Sequence, residues 1–414
     1  MKIVKISDVF FPRVNGVSTS ISIFRRELIA RGHEVTLIAP AYPEAEAAAD
    51  VVRVAGRPVP FDPEDRLMNR RALARACAKA AGGDVDVVHV HTPFLAHRFG
   101  VRLGRRLGVP VVETYHTFFE EYFHHYARFL PASATRWLAR SLSRSQCKAV
   151  DRLIVPSAAM KRVLDRYGVD TPTEVLPTGL DLAELNNGDA ARFRRQHGID
   201  ASRPSIVHVG RLAFEKNIEF LLQVAARVRH DVPDLLMIIA GEGPAEASLR
   251  RYAARLGLDG YVLFTGYLSR QKELQDCYRA GDVFVFSSRT ETQGLVLLEA
   301  LALGVPVVST AVMGTRSIVE PERGAVRTEE KVADFAHEVT ALLSDPERRR
   351  RLGEEARSFA AEWSSGAMTE RLVDAYAKTI AAFSPRRSGR ARPGSGLHRP
   401  RGSSRPAAAD AYSP

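Results

Sequence analysis

Two carboxylates, Glu291 and Glu299, stand in the stretch VFVFSSRTETQGLVLLEALALGVPVVSTA (residues 283–311) with seven residues between them. Upstream, VHVGRLAFEKN (207–217) carries two cations, Arg211 and Lys216, on one loop. Cations held on a loop can stabilise the negative charge that grows on a departing diphosphate, because fixed donors act where charge develops. Carboxylates accept hydrogen bonds from hydroxyl groups. A helix that starts near Gly294 adds free backbone N–H groups and partial positive charge, which suit a phosphate. A ligand that satisfies all of these carries phosphates and hydroxyls together, as a nucleotide sugar does.

These side chains need elements to hold them. Val283–Phe286 is an apolar, β-branched run and reads as a buried parallel strand, with 287–293 as the loop beyond its carboxyl end and 294–304 as a helix. In an open α/β sheet, ligands sit in the crevice outside the carboxyl ends of the strands, so Glu291 faces such a crevice and Glu299 lies near it, about a turn and a half into the helix. For Glu291 alone the helix dipole, worth about 0.3–1 kcal/mol, would be reason enough for an acid. Glu299 is different. Leu295, Val296, Leu297, Leu298, Leu301 and Leu303 make its helix apolar almost all round, and a carboxylate there needs a partner or a ligand. Other strand ends carry glycine, which lets backbone approach a ligand: IIAGEGP with Gly241 and Gly243, and FTGYL with Tyr267. In the amino half, FFPRVNGVSTS places Gly16 just before a helix, and VETYHTFF places His116 just after a strand.

Strand and helix signals alternate through the first 384 residues, the pattern of a parallel α/β fold. The amino half offers KIVKIS, EVTLIAP, VVRVAG, VDVVHVH, VPVVETYH, RLIVPS and TEVLP as strands, with helices over 18–31, 65–81 and 94–107. A polar segment over 186–202 marks a boundary, after which SIVHVGR, LLMIIAGEGP, YVLFTGY, DVFVFSS and VPVVST restart the alternation. The expected division is 1–195, 196–366, a last helix over 367–384, and a tail over 385–414.

A chain of 414 residues, 45% hydrophobic and 26% charged, suits two soluble domains, each of about 200 residues or fewer. Cys77, Cys147 and Cys277 are odd in number and far apart, which speaks for a reducing compartment and plain core thiols. With no leader-like start and no run of about 18 apolar residues, the chain is expected in the cytoplasm. The net charge of +11 invites a nucleic-acid partner, yet the tail from Pro385 holds seven Arg against one Asp, and the body carries only +5. No specific nucleic acid is expected, and the Pro-, Gly- and Arg-rich tail reads as a disordered extension. No metal is expected either. Asp84 and Asp86 open a strand and read as a turn, and Glu120 paired with His124 or His125 lacks both a third ligand in sight and the H-E-x-x-H order.

The Glu, seven residues, Glu pattern followed by a small-residue helix and G-x-P-V-V resembles the signature of glycosyltransferase family 4, and G-R-x-x-x-x-K-N resembles that family's pyrophosphate motif. The resemblance covers nearly all of residues 1–384. It implies a GT-B fold, two Rossmann-like domains facing across a cleft, with the last helix crossing back to the first domain. It also implies hexose transfer with retention at the anomeric carbon, and no required cofactor or metal, the nucleotide sugar being a substrate. Carried over residue by residue, Arg211 and Lys216 hold the diphosphate, Glu291 and His116 hold the sugar, and Glu299 accepts from the ribose hydroxyls. Gly16, Gly241, Gly243, Tyr267, Gly294 and Leu295 fall where the family binds the donor.

The acceptor side rests on HTFFEEYFHHYARFLP, similar to a loop of family 4 enzymes that glycosylate diacylglycerol, and on PRVNGV, similar also to GDP-mannose-dependent mannosyltransferases of the family. After that loop, Arg136, Arg140, Arg144 and Lys148 recur every four residues opposite Leu138, Leu142 and Ala149, with Trp137 at the border. Such a helix can lie on an anionic membrane, and it can equally pack on its own domain with a solvated basic face. UDP-glucose and GDP-mannose both remain open as donors. The expected function is transfer of a hexose to a membrane lipid such as diacylglycerol, from the inner face of the cell membrane. Its alternatives are a mannosyltransferase with a soluble or polysaccharide acceptor, and a nucleotide-sugar epimerase.

Overall fold

The computed structural model describes residues 1–384 except 14, 46, 60–61, 117–131, 186–187 and 270–271. Its order begins with β1 (Lys2–Ile6), β2 (Glu34–Pro40), β3 (Val51–Val54), β4 (Gly56–Val59), β5 (Asp62–Met68), β6 (Val87–Val90), β7 (Val111–Thr114), β8 (Arg152–Val155) and β9 (Thr173–Val175). It continues with β10 (Ser205–Val209), β11 (Leu236–Ala240), β12 (Val262–Gly266), β13 (Val283–Phe286), β14 (Val307–Ser309) and β15 (Ala325–Arg327).

One parallel sheet runs β3-β2-β1-β6-β7-β8-β9 and the other runs β12-β11-β10-β13-β14-β15. Parallel sheets are covered on both faces, which is why these strands read as near-continuous Val and Ile runs. In the first sheet, Val4, Ile6, Val88 and Val90 enter one core, while Ile3, Val87, Val112 and Ile154 enter another with Phe24 and Leu28. The second core also takes Met368, Leu372 and Tyr376 from the last helix, Ser365–Ala382. That helix is tied down at its start, where Ser365 donates to Glu27 at 2.7 Å and Arg31 donates to the Gly366 carbonyl at 3.2 Å.

Two expectations change. The helix expected over 65–81 begins only at Arg70, because β5 pairs with β4 as an antiparallel hairpin through Met68. Asn69 then caps the helix, accepting from the N–H groups of Arg71 and Ala72 at 3.0 and 3.1 Å. Helix Ala190–Gln196 buries Phe193 in a core with Cys277 and Tyr278, and Arg192 binds the Asp276 carboxylate at 2.5 and 2.7 Å. In helix Ala132–Cys147 the inward residues are Ala139, Ser143 and Cys147, while Leu138, expected on the packed side, stands exposed beside Trp137. Among the described residues no helix is long and apolar enough to cross a membrane.

Candidate active site

Each sheet reverses its strand order next to its first strand, between β1 and β6 and between β10 and β13. Ligands of open α/β sheets bind at such reversals, outside the carboxyl ends of the strands. Loops that are far apart in sequence therefore meet there. In the second half the loop after β10 carries Lys216 and the loop after β13 carries Glu291, and the Lys216 ammonium donates to Glu291 Oε1. Both side chains are about a fifth exposed, at 20% and 19%. Asn217 braces the two loops, its carbonyl accepting from Ser287 Oγ at 3.0 Å. Beneath them His208 is fully buried, its Nδ1 3.1 Å from the Val285 carbonyl, and burial holds it neutral by lowering its pKa to about 4. Arg211 is exposed and has no ion-pair partner among the described residues.

The strand-end glycines pack these loops against one another. A Cβ on Gly241, whose φ is +132°, would stand 2.0 Å from the Gly210 carbonyl oxygen, and one on Gly243 would stand 2.3 Å from that of Leu212. Tyr267 is 56% exposed, and its backbone N–H donates to Glu242 Oε1 at 3.3 Å. Gly294 precedes helix Leu295–Ala302, whose first residue packs partly on the core. Glu299 is buried, and the partner that its surroundings demand is Tyr278, which donates its hydroxyl to Oε2 at 2.7 Å. Between Glu291 and Gly294, Gln293 makes two 2.8 Å bonds, accepting from the Thr178 N–H and donating to the Thr178 carbonyl. The Glu291 loop is thereby fastened to the segment that follows β9.

In the first half, Gly16 opens helix Gly16–Ala30, capped by Asn15, which accepts from the Ser18 N–H at 2.8 Å. Nothing lies within 4 Å of where a Gly16 Cβ would be, so the space above it is open. His116, after β7, is half-buried and stacks on His91 with ring centroids 5.7 Å apart, Nε2 facing His91 Nδ1 at 3.4 Å. Behind His91 lies His89, with centroids 4.1 Å apart; His89 Nδ1 is 2.6 Å from the Tyr376 hydroxyl and Nε2 is 2.7 Å from Thr114 Oγ1. Burial, and then the charge of Lys5, lowers the His116 pKa to about 3. Lys5 is itself fully buried, with no hydrogen-bond partner for Nζ among the described residues, and burial lowers it to about 7. Asp8, at the end of β1, is raised to about 6 by burial, although its carboxylate accepts from Thr92 Oγ1 at 2.8 Å and from the Ala96 N–H at 3.1 Å.

The structure thus joins Lys216 to Glu291 and Gly241 to the Gly210 loop. Among the described residues neither Arg211 nor His116 bonds to the Lys216–Glu291 pair. The stretch 117–131, with Glu120, His124 and His125, lies outside the described residues, as does the tail 385–414. Sequence reasoning passed over His89, His91, Lys5, Tyr278 and Tyr376. One signal was present: in VDVVHVH, His89 and His91 alternate onto the same face of an otherwise apolar strand.

The family described as Glycosyltransferase Family 4 matches residues 14–184, and that described as Glycosyl transferases group 1 matches residues 189–359. The alpha-monoglucosyldiacylglycerol synthase of Streptococcus pneumoniae is 31% identical over 318 residues, 75% of this chain and 71% of that protein. The GDP-mannose-dependent alpha-(1-6)-phosphatidylinositol dimannoside mannosyltransferase of Mycobacterium tuberculosis is 28% identical over 371 residues, 89% of this chain and 94% of that protein. Among solved structures, the sucrose-phosphate synthase from Thermosynechococcus elongatus superposes with a TM-score of 0.76 at 22% identity, covering 92% of this chain and 99% of that one. The architecture is the GT-B fold, two Rossmann-like halves.

Proposed function

The chain belongs to glycosyltransferase family 4 and uses a nucleotide sugar, and from that premise we propose that it moves a hexose from UDP-glucose or GDP-mannose onto a membrane lipid, diacylglycerol being the first acceptor to try. The observation that carries the donor half is the Lys216–Glu291 pair at the strand-order reversal of the second sheet. An incoming diphosphate competes with Glu291 for the ammonium. Lys216 and Arg211 then neutralise the charge that builds as the sugar–phosphate bond breaks. Released from Lys216, Glu291 accepts from the sugar, His116 contacts the same sugar from the first half, and Glu299, held by Tyr278, takes the ribose hydroxyls. The leaving phosphate takes the acceptor proton, the sugar keeps its anomeric configuration, and no metal is required.

The lipid acceptor is supported by an exposed patch and by the relatives' names. Trp137 is 69% exposed and Leu138 is 40% exposed at the start of helix Ala132–Cys147, with Arg140, Arg144 and Lys148 exposed further along. An aromatic and a leucine beside arginines suit the boundary of an anionic bilayer, where the apolar groups insert and the cations meet headgroups. On this reading the enzyme works from the cytoplasmic face of the membrane. Both relatives are named for products or acceptors that are lipids.

The test has two steps. A panel of nucleotide sugars is scored by thermal shift, one nucleotide being expected to stabilise the chain above the others. That donor is then offered with diacylglycerol in anionic vesicles, with a soluble glycan, or alone. Transfer to the glycan only would replace the lipid reading, and isomerisation of the donor alone would replace transfer by epimerisation.

A further inference from the structure

The imidazoles of the first half form a file. It starts at Tyr376 on the last helix, passes through His89 on β6 and His91 just after that strand, and ends at His116 beyond β7. His91 is the link that decides the chemistry of His116. Its Nδ1 lies 3.4 Å from His116 Nε2, a long contact but one within hydrogen-bonding geometry, and a single proton can occupy it. Its other nitrogen, Nε2, is buried and has no partner among the described residues.

Two assignments of that proton are open. Both rings are held neutral by burial and by the Lys5 charge, so each carries one N–H and one lone pair. If His116 Nε2 held the proton and donated it, His91 would accept through Nδ1 and would bear its own N–H on buried Nε2, with nothing to receive it. If His91 Nδ1 donates instead, buried Nε2 is a bare lone pair. Orphaned buried N–H groups are rarer in proteins than under-used acceptors, so the second arrangement is favoured. His116 Nε2 is then an acceptor, and the His116 proton sits on Nδ1, which has no partner among the described residues.

We propose that His91 is a positioning residue that donates from Nδ1 to His116 and so presents His116 to the donor as an Nδ1–H hydrogen-bond donor rather than as a base. The consequence for the reaction rests on the reading above, in which His116 contacts the sugar. A neutral N–H suits a sugar oxygen, and it takes no proton from the acceptor hydroxyl. That proton is left to the departing phosphate. His89, gripped by Tyr376 and Thr114, keeps the His91 ring in its plane.

The experiment uses the full chain with 15N-labelled histidine. Ring nitrogen shifts near neutral pH are expected to show His116 protonated on Nδ1 and bare on Nε2, and His91→Leu is expected to shift His116 towards the Nε2–H form. A wild-type His116 protonated on Nε2, or a His116 tautomer unchanged in His91→Leu, overturns the proposal. This readout needs no substrate, so it stands or falls whichever donor or acceptor the enzyme uses. In turnover, His91→Leu is expected to lower kcat roughly 10–100-fold with a smaller change in donor KM. His91→Asn, whose amide N–H can stand where Nδ1 stood, is expected to recover most of it. Equal losses in the two variants, at equal thermal stability, would mean that His91 only fills space.

Discussion

At the carboxyl ends of β10 and β13 an ammonium and a carboxylate pair near the surface, each about a fifth exposed. At the matching reversal of the first sheet the ammonium of Lys5 is fully buried without a hydrogen-bond partner among the described residues, and the imidazoles beside it are neutral. The same strand order thus supports two kinds of site. Charges near water can be exchanged, so an incoming phosphate can take Lys216 from Glu291 at modest cost. Neutral rings in a packed core cannot exchange partners easily, but they hold direction, which suits hydroxyl groups more than phosphates. One half is equipped to meet charge and the other to meet shape.

Three substitutions test that contrast. The largest effect is expected from Lys216→Ala, which removes the ammonium that we propose meets the diphosphate and should lower kcat by about 10²–10³-fold with little change in acceptor KM. Wild-type turnover in that variant would end the division of labour between the halves. Next comes Gly241→Ala. Its Cβ would collide with backbone at Gly210, and its φ of +132° disfavours any side chain, so about 2–4 kcal/mol of stability should be lost in denaturant unfolding, together with nucleotide binding. An unaffected variant would show that the second half's loops give way more readily than their contacts imply.

The smallest change is expected in the first half. Lys5 has a folded pKa of about 7, lowered from 10.5, so between those values the unfolded chain holds a proton that the folded chain has released. Stability from this group therefore rises with pH across that window, and below pH 7 the full cost of burying the ammonium is present. Lys5→Met should stabilise the protein by about 1–3 kcal/mol at pH 6, and the gain should shrink as pH climbs from 7 towards 10.5. A gain that stays constant with pH would mean that Lys5 binds its proton equally in the folded and unfolded chain, its pKa unshifted by burial.

These differences also govern what could be read from sequence. The second half was legible because its chemistry sits on loops, where a charge or a glycine has few structural reasons to be. Arg211, Lys216, Glu291 and the glycines announce themselves against apolar strands. Tyr278 did not, since a tyrosine on the apolar side of a helix looks like packing until its hydroxyl is traced to Glu299. In the first half the polar groups are inside strands, and Lys5 in KIVKIS reads as one more alternating residue. His89, Thr114 and Tyr376 become a set only when β6, β7 and the last helix are brought together, and spacing along the chain carries no trace of that. The same holds for helix Ala190–Gln196. Its short basic sequence says nothing of which core will take Phe193.

The hydrogen bond from Tyr376 to His89 spans 287 positions of chain, and Met368 and Leu372 enter the same core as Ile3 and Val35. During synthesis the chain leaves the ribosome at about 5–20 residues per second, and domains usually fold as they emerge. The second half can complete its core on that schedule. The first half emerges earlier and finishes later, because a strip of its interior is helix Ser365–Ala382, made after the second half. For much of translation it carries an uncovered apolar face. Chain termination within that helix would cost the nascent protein its first half while sparing the second.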